Sequence, residues 1–533
     1  MKKMTVLSLS IFLFAIFVGM NTALRSKNVE AETHEKVVTE NSQWAYFYQG
    51  PNGDSVNAVT QTSDGGFVLV GATDSFGSGN MDLWVIKIDA EGNILWEKTY
   101  GDGNLETAND VAEAENGDLL IVGTMFVYPP QGIEDGYRIL RLSATGEVIW
   151  QKQFDKYSDK NSILVTVDQG IVVAGGWSPS GPSDLTSIVK LDLNGNFLWQ
   201  KLYNEPTFLY DGTYFSIDET PNGDFIASFP TEDWAHQWIA RLDSQGNIEW
   251  QKFLDGPLVF SFTVNAIGND GFYVSGRTQT NTIILRLDPA GNIVWQKSLS
   301  TSTYISIWSA AATHDGGIIL VGNLETPNYF VVRLDANGNL LWSHSYAGGR
   351  VQDVAQTTDE GFIVVGSEYV GKAAAPYPWA LTDENGMTRP EAIPTLDGND
   401  DILVFKVDAN GNIHGCELVS PIEMVITDTN ILLAEAFVTP IAITPIILDT
   451  LITPQTSDVT PIQACYFMAS PTPSITPSAS PTHTLTPSPT YTQNPTATST
   501  PSPTATHSPT PTLTTTPTEP SLYRLYLPFL HHP

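Results

Sequence analysis

Positive charge is scarce in this sequence: 25 Lys and Arg stand against 58 Asp and Glu, leaving a formal net charge of −33. A field of that sign repels phosphate backbones and anionic lipid headgroups, which excludes nucleic acid and acidic membrane surfaces as partners. Cysteine is scarcer still, with only Cys416 and Cys465 in the chain. In an exported protein two thiols read as one disulfide, and closing a loop of that length contributes on the order of 4 kcal/mol through chain entropy. Long apolar runs are missing too. The run from Val6 to Val18 is short of the roughly 20 residues of a spanning helix. With Lys2 and Lys3 ahead of it and Val29-Glu30-Ala31 behind, it has the layout of a secretory signal over residues 1–31. The mature chain is therefore expected to be secreted, with a flexible start at 32–43 and no transmembrane span.

Catalytic signatures are also lacking. Nine histidines are scattered without a His-x-x-x-His pair. There is no Gly-x-Ser-x-Gly elbow and no phosphate loop. No metal site is expected, because the Asp/Asn/Gly turns have local reasons to exist and lack the spacing of an EF-hand. Calcium is the weaker alternative, with Asp397, Asp400 and Asp401 the densest cluster. No cofactor is expected otherwise.

What the sequence has is repetition. Ile88-Asp89-Ala90-Glu91-Gly92-Asn93-Ile94-Leu95-Trp96 recurs with its tryptophan at Trp150, Trp199, Trp250, Trp295 and Trp342. A second signature precedes each, first as Asp64–Gly71 and last as Asp359–Gly366. A period of about 50 residues, built from β-branched runs and Gly/Asn/Asp turns, is that of propeller blades. Each unit supplies four strands, in the first unit Ser55–Thr62, Phe67–Ala72, Leu83–Asp89 and Ile94–Tyr100. The seventh unit has Gly415 where the tryptophan belongs, and Trp44–Tyr48 matches the missing strand. The expected fold is all-β: a seven-bladed β-propeller over 44–419, closed by an N-terminal strand.

Two basic rows recur in register: Lys87, Arg141, Lys190, Arg241, Arg286, Arg333 and Lys406, then Lys98, Lys152, Lys201, Lys252 and Lys297. They stand on regular strand positions beside acids such as Asp89 and Glu97. Cross-strand pairing is expected of them, not a cationic ring. The tryptophan row is expected to pack between blades.

The motif Leu-Asp-x-x-Gly-Asn-x-x-Trp resembles the secreted bacterial β-propeller repeat families and the tryptophan-docking repeats of quinoprotein-like propellers. The resemblance implies the fold. In quinoprotein dehydrogenases the ring also binds pyrroloquinoline quinone and calcium through a vicinal disulfide and dedicated ligands. Here the adjacent cysteine pair is absent and the docking turn is one residue shorter, so no site residue is carried over.

Beyond the ring, residues 420–468 alternate Ile, Val and Thr with Pro, and read as a small β-rich cap with strands such as Ile441–Leu448 and Thr450–Thr453. Residues 469–520 are a Ser/Thr/Pro tract that cannot bury a core and reads as an extended, disordered stalk. The apolar end, 521–533, resembles the Tyr-Leu-Pro tail of some stalked bacterial secreted proteins, which implies attachment at the cell surface. Departures from the repeat are the places to look for a ligand. Trp84 and Trp238 share a strand position and are expected in the core. Trp177, Trp234 and Trp379, with Tyr377 in the long insertion 371–397, fall in loops where aromatics stack on sugars or anchor partners. The expected function is a noncatalytic, monomeric binding or scaffold protein for a carbohydrate or protein ligand at the cell surface. The alternative is a secreted polysaccharide hydrolase using two loop carboxylates.

Overall fold

The computed structural model describes residues 43–463, apart from residue 49 and the stretches 79–80, 127–135, 156–161, 178–184, 205–214, 231–235, 256–259, 278–281, 325–327, 348, 370–399, 415–418, 430–431, 436–438, 444–446, 450–453 and 458–460. The signal, stalk and tail expectations, and both cysteines, lie outside the described residues. Among those described, every regular element is a strand. None is a helix long and apolar enough to cross a membrane.

Seven antiparallel sheets form the blades of a propeller, each with four meandering strands, a to d, counted from the central channel outward. In blade 1 they are Asp54–Gln61, Phe67–Thr73, Asp82–Ile88 and Ile94–Tyr100, within one residue of the spans read from the sequence. Blade 7 takes strands a to c from Arg350–Gln356, Phe362–Tyr369 and Asp400–Val407, and strand d from Trp44–Tyr48, with Trp44 opposite Lys406. The N-terminal strand thus closes the ring as expected.

Apolar residues alternate in these strands, yet the middle strands are buried on both faces, as in Phe67–Thr73 and Asp82–Ile88. The reason is that each blade packs on two neighbours. The core is accordingly divided into seven clusters, one per interface. Val68, Val85 and Tyr100 of blade 1 meet Val111, Ile121 and Leu140 of blade 2, for example, and Ile226 and Leu254 of blade 4 meet Phe272 and Leu285 of blade 5. Trp84 and Trp238 are fully buried, as expected.

The repeated tryptophan fastens each blade to the next. Trp96 Nε1 donates to the Ala144 carbonyl in the c–d turn of blade 2 at 2.9 Å, and Trp150 to Leu193, Trp250 to Pro289, Trp295 to Ala336 and Trp342 to Ala409 repeat the contact. Trp44 closes the circle on Ala90. The turn glycine has a left-handed backbone and lies against the indole. At Gly146, φ is 75° and a Cβ would stand 2.8 Å from Trp96. Gly146→Ala is therefore expected to cost about 2–3 kcal/mol, part from the left-handed backbone and part from displacing the indole. Gly117→Ala, at φ 83° with only the Ala144 methyl 3.9 Å away, carries the backbone share alone. Urea midpoints at unchanged slope read the difference, and equal losses at both positions would refute the docking role.

The residues after the ring do not gather into a cap at one place. They form a strap that runs once around the rim, against the blade order, and adds a fifth, outermost strand to every sheet. Val419–Pro421 pairs with blade 6, Val425–Asp428 with blade 5, Leu432–Glu435 with blade 4, Thr439–Ile443 with blade 3, Ile447–Asp449 with blade 2, Gln455–Thr456 with blade 1, and Ile462–Gln463 with Trp44–Tyr48 of blade 7. At about 3.3 Å per residue an extended chain over 419–463 reaches on the order of 150 Å, one lap of the ring. The strap contributes to the blades as well as covering them: Trp84 Nε1 donates to Ser457 Oγ at 3.0 Å, and Met424 is buried in the cluster between blades 5 and 6.

Candidate functional site

The two faces of the ring differ in kind. On one face lie the a–b and c–d turns, seven of each, all closed by the same pair of backbone hydrogen bonds. The c–d turns are further fixed by a side chain: Asp192 Oδ1 accepts from the N–H groups of Asn194 and Asn196, and Asp243, Asp288 and Asp335 do the same with their own turns. These carboxylates hold turns together and are not poised for a cation. Among the described residues no group of three or more metal-ligating side chains gathers. Asp400 and Asp401 begin strand c of blade 7, opposite Tyr369 and Glu368, and Asp397 lies outside the described residues.

The first basic row is held inside this face. Lys87 reaches Asp64 at 2.8 Å, Arg141 reaches Asp118 at 2.6 Å, Lys190 reaches Asp168 at 2.7 Å, Arg241 reaches Asp224 at 2.5 Å, Arg333 reaches Asp315 at 2.7 Å, and Lys406 pairs with Asp359. The partners are the acids of the a–b turn of the same blade, not the neighbours of Asp89 and Glu97 that strand spacing suggested. Arg286 is the exception: it donates to the Ala336 carbonyl and lies over the Tyr273 ring. In the second row Lys98 bonds Glu147 of the next blade. Both rows are structural.

The opposite face carries the b–c connections and the blade-to-blade loops, and here the seven units diverge. Only three residues, 325–327, join strands b and c of blade 6, whereas 370–399 join them in blade 7. Trp177 is the last residue of a b strand of blade 3, opposite Leu185 at the edge of this face. Trp234, Trp379 and Tyr377 belong to its loops and lie outside the described residues. In blades 1 and 2 buried acids pin these loops: Asp54 accepts from Gly50 N–H and from the Thr73 and Ser75 hydroxyls, and Asp82 from Ser78.

The central channel opens on the same face, and its lining escaped the sequence reading. Four innermost strands carry a β-bulge near their loop-face ends, at Asn57, Asn109, Trp308 and Gln352. A bulge re-aims the extra side chain, and such irregularities recur beside binding sites. All four side chains are half-buried, as is Phe215 at the start of strand a in blade 4. In ring order the amides occupy blades 7, 1 and 2, and the aromatics blades 4 and 6. The mouth therefore has a hydrogen-bonding arc and an aromatic arc.

Deeper in the channel the innermost strands are joined by polar staples. Asp353 accepts from Val59 N–H of blade 1 at 3.0 Å and from Ser309 Oγ of blade 6 at 2.7 Å. Asp110 accepts from Ile163 N–H of blade 3 at 2.9 Å and from Ser162 Oγ at 3.0 Å. Asp218 accepts from Ala266 N–H of blade 5 at 2.8 Å. Asn57, Asn265 and Glu219 bridge the remaining interfaces through Ala108, Ala310 and Val167. Every pair of adjacent blades is thus linked at the channel wall. These groups are partly reachable along the channel yet surrounded by protein, and burial pushes the carboxyls up, Asp110 to about 7 and Asp218 to about 6. One signal could have found them: aligned on their turns, Asp110 and Asp353 fall at the same place in strand a, four residues before the turn begins.

No protein-family model matches the sequence, and no curated protein matches it. Solved structures resemble the ring. A protein of unknown function from Bacteroides caccae is 14% identical, with 52% of this chain and 92% of that one covered at a TM-score of 0.32. The Dos1 propeller is 12% identical, with 61% and 93% covered at 0.39. BBS1N, solved in complex with ARL6DN, is 9% identical, with 69% and 97% covered at 0.39. At these identities the likeness is one of fold and carries nothing about ligand or activity.

Proposed function

We propose that the protein is a noncatalytic binding module displayed outside the cell, taking a carbohydrate ligand on the loop face over the channel mouth. The observation that carries this reading is the concentration of all divergence among the seven units on one face, where specificity is built when a rigid scaffold is held constant. The chemistry of the mouth fits a sugar: amides on one arc to bond hydroxyls, aromatic rings on the other to stack on the apolar face of a pyranose. The deep carboxylates favour binding over hydrolysis, because Asp110, Asp218 and Asp353 are each engaged by backbone donors of a neighbouring blade. The export signal, the Ser/Thr/Pro stalk and the Tyr-Leu-Pro tail support display at the surface.

The test is retention of the full mature chain on insoluble polysaccharides, with soluble sugar measured in the same tubes. Saturable retention without release is expected, weakened about tenfold by combined Trp379→Ala and Tyr377→Ala, the loss of a stacking contact worth about 1.4 kcal/mol. Released sugar would overturn the reading in favour of a hydrolase, and retention only on cell-envelope proteins would replace the carbohydrate by a protein ligand.

A further inference from the structure

The strap is held unevenly along its length. It has five residues in register with blade 3 and four each with blades 4 and 5, but three with blade 2 and two each with blades 1 and 7. Its root is anchored by side chains as well. Met424 is buried and Ile422 and Ile426 pack with it between blades 5 and 6, Ser343 Oγ donates to the Ile422 carbonyl, and Lys297 pairs with Asp428. At blade 1 the described anchor is the single Trp84–Ser457 hydrogen bond. Opening therefore starts at the far end.

When that end lifts, two complementary surfaces are bared: strand segments with unpaired backbone, and the outer edges of blades 7, 1 and 2. Each copy of the chain carries the same edges in the same register. A lifted strap end can then pair with a second copy through the hydrogen bonds it makes at home, so exchange needs no new interface. In dilute solution the tether keeps the strap on its own ring, because the effective concentration of a linked segment is in the millimolar range. Where copies are packed closely, the neighbour's edge competes.

We propose that the strap from Ile447 onward is an exchangeable strand donor, and that its partner is a second copy of this chain, whose blades 2, 1 and 7 accept it at their outer edges. The proposal is independent of the ligand taken on the loop face. The edge is a docking surface for this one segment, with the register already set by its own chain.

Cysteine trapping between two copies tests it, in full chains carrying Cys416→Ser and Cys465→Ser. Lys98 of blade 1 stands opposite Thr456 in the strap, and Ser298 of blade 5 stands opposite Thr427. One population carries Lys98→Cys and the other Thr456→Cys; a second mixture pairs Ser298→Cys with Thr427→Cys. After concentration and oxidation, the first mixture is expected to give cross-copy disulfides in about tenfold higher yield than the second, a ratio that corresponds to about 1.4 kcal/mol of extra opening at the root. Chains carrying both members of a pair must close internally, which checks the register. Equal yields in the two mixtures, no cross-copy product in the first, or failure of the Lys98→Cys/Thr456→Cys chain to close would each overturn the proposal.

Discussion

A chain beginning at residue 50 is expected to lose its closed ring. The missing strand Trp44–Tyr48 supplies five registered residues to blade 7. It also supplies two buried aromatics, whose Trp44 Nε1 and Tyr48 hydroxyl both bond the c–d turn of blade 1. Two aromatic side chains of about 150–250 Å² each, at about 25 cal/mol per Å², amount to roughly 8–12 kcal/mol as an upper figure. A typical domain has only about 5–15 kcal/mol of net stability to lose. The strap end loses its partner in the same stroke, since Ile462–Gln463 pairs with this strand. Thermal unfolding and gel filtration check the outcome: the shortened chain should show no cooperative transition and should self-associate through bared blade edges. A cooperative melt within a few degrees of the full chain would show that the seventh blade closes without its outer strand.

Stability is expected to rise as pH falls from 8 to 5, against the habit of acidic groups in salt bridges. Burial pushes Asp110 up to about 7, Asp218 to about 6 and Glu106 to about 8. In the unfolded chain the same groups titrate near 4. Between those values the folded ring binds protons that the unfolded chain has released, so raising the pH through this window favours unfolding. Each such proton is worth about 1.4 kcal/mol per pH unit, and the combined gain from pH 8 to 5 is on the order of 3 kcal/mol, a few degrees of melting temperature. Below about pH 4 the trend reverses. Burial raises Asp64, but the Lys87 ammonium, the Thr62 hydroxyl and the Gly66 N–H outweigh it and hold the carboxyl at about 2, so its ion pair is lost in acid. Urea midpoints across pH 3–9 should therefore pass through a maximum near pH 4–5. Asp110→Asn should flatten the descending limb, which separates the staple from the general relief of negative charge. A flat profile from pH 5 to 8 would sink the assignment.

The strap also answers a liability that propellers share. Every outer strand is a sheet edge, and the fifth strand covers part of each. Pro421 and Pro440 lie within strap strands, where the outermost position tolerates a residue without an N–H and where that lack discourages any further strand.

Blade number, blade order and closure were legible because propeller blades are near-copies. One period repeated along the chain exposes strand positions, turns and the row of docking tryptophans without reference to anything outside the chain. The structural reading of the lysine and arginine rows was legible for the same reason, although their partners were not. Lys87 meets Asp64, 23 residues away across two strands, and only the folding of the blade brings the a–b turn beside strand c. The candidate aromatics Trp177, Trp234, Trp379 and Tyr377 were chosen for standing outside the repeat, which identified their face but not the channel beside it. Asn57, Asn109, Trp308 and Gln352 became visible as a set only through bulges, and a bulge is a property of two paired strands.

By itself the sequence determined the class, the sevenfold repetition, the closing strand at Trp44–Tyr48 and the acidic character that turns nucleic acid away. Each of these rests on local pattern or on total charge. The tertiary structure alone decided the staples at the channel and the path of the strap. Asp353 reaches Val59 across 294 positions of sequence, and Ile462 reaches Phe47 around the whole ring. Strap strands of two to five residues have too little length to announce themselves by periodicity. Their recurring Val438-Thr439-Pro440, Ile452-Thr453-Pro454 and Val459-Thr460-Pro461 triplets acquire meaning only when seven blade edges stand about seven residues apart along one rim.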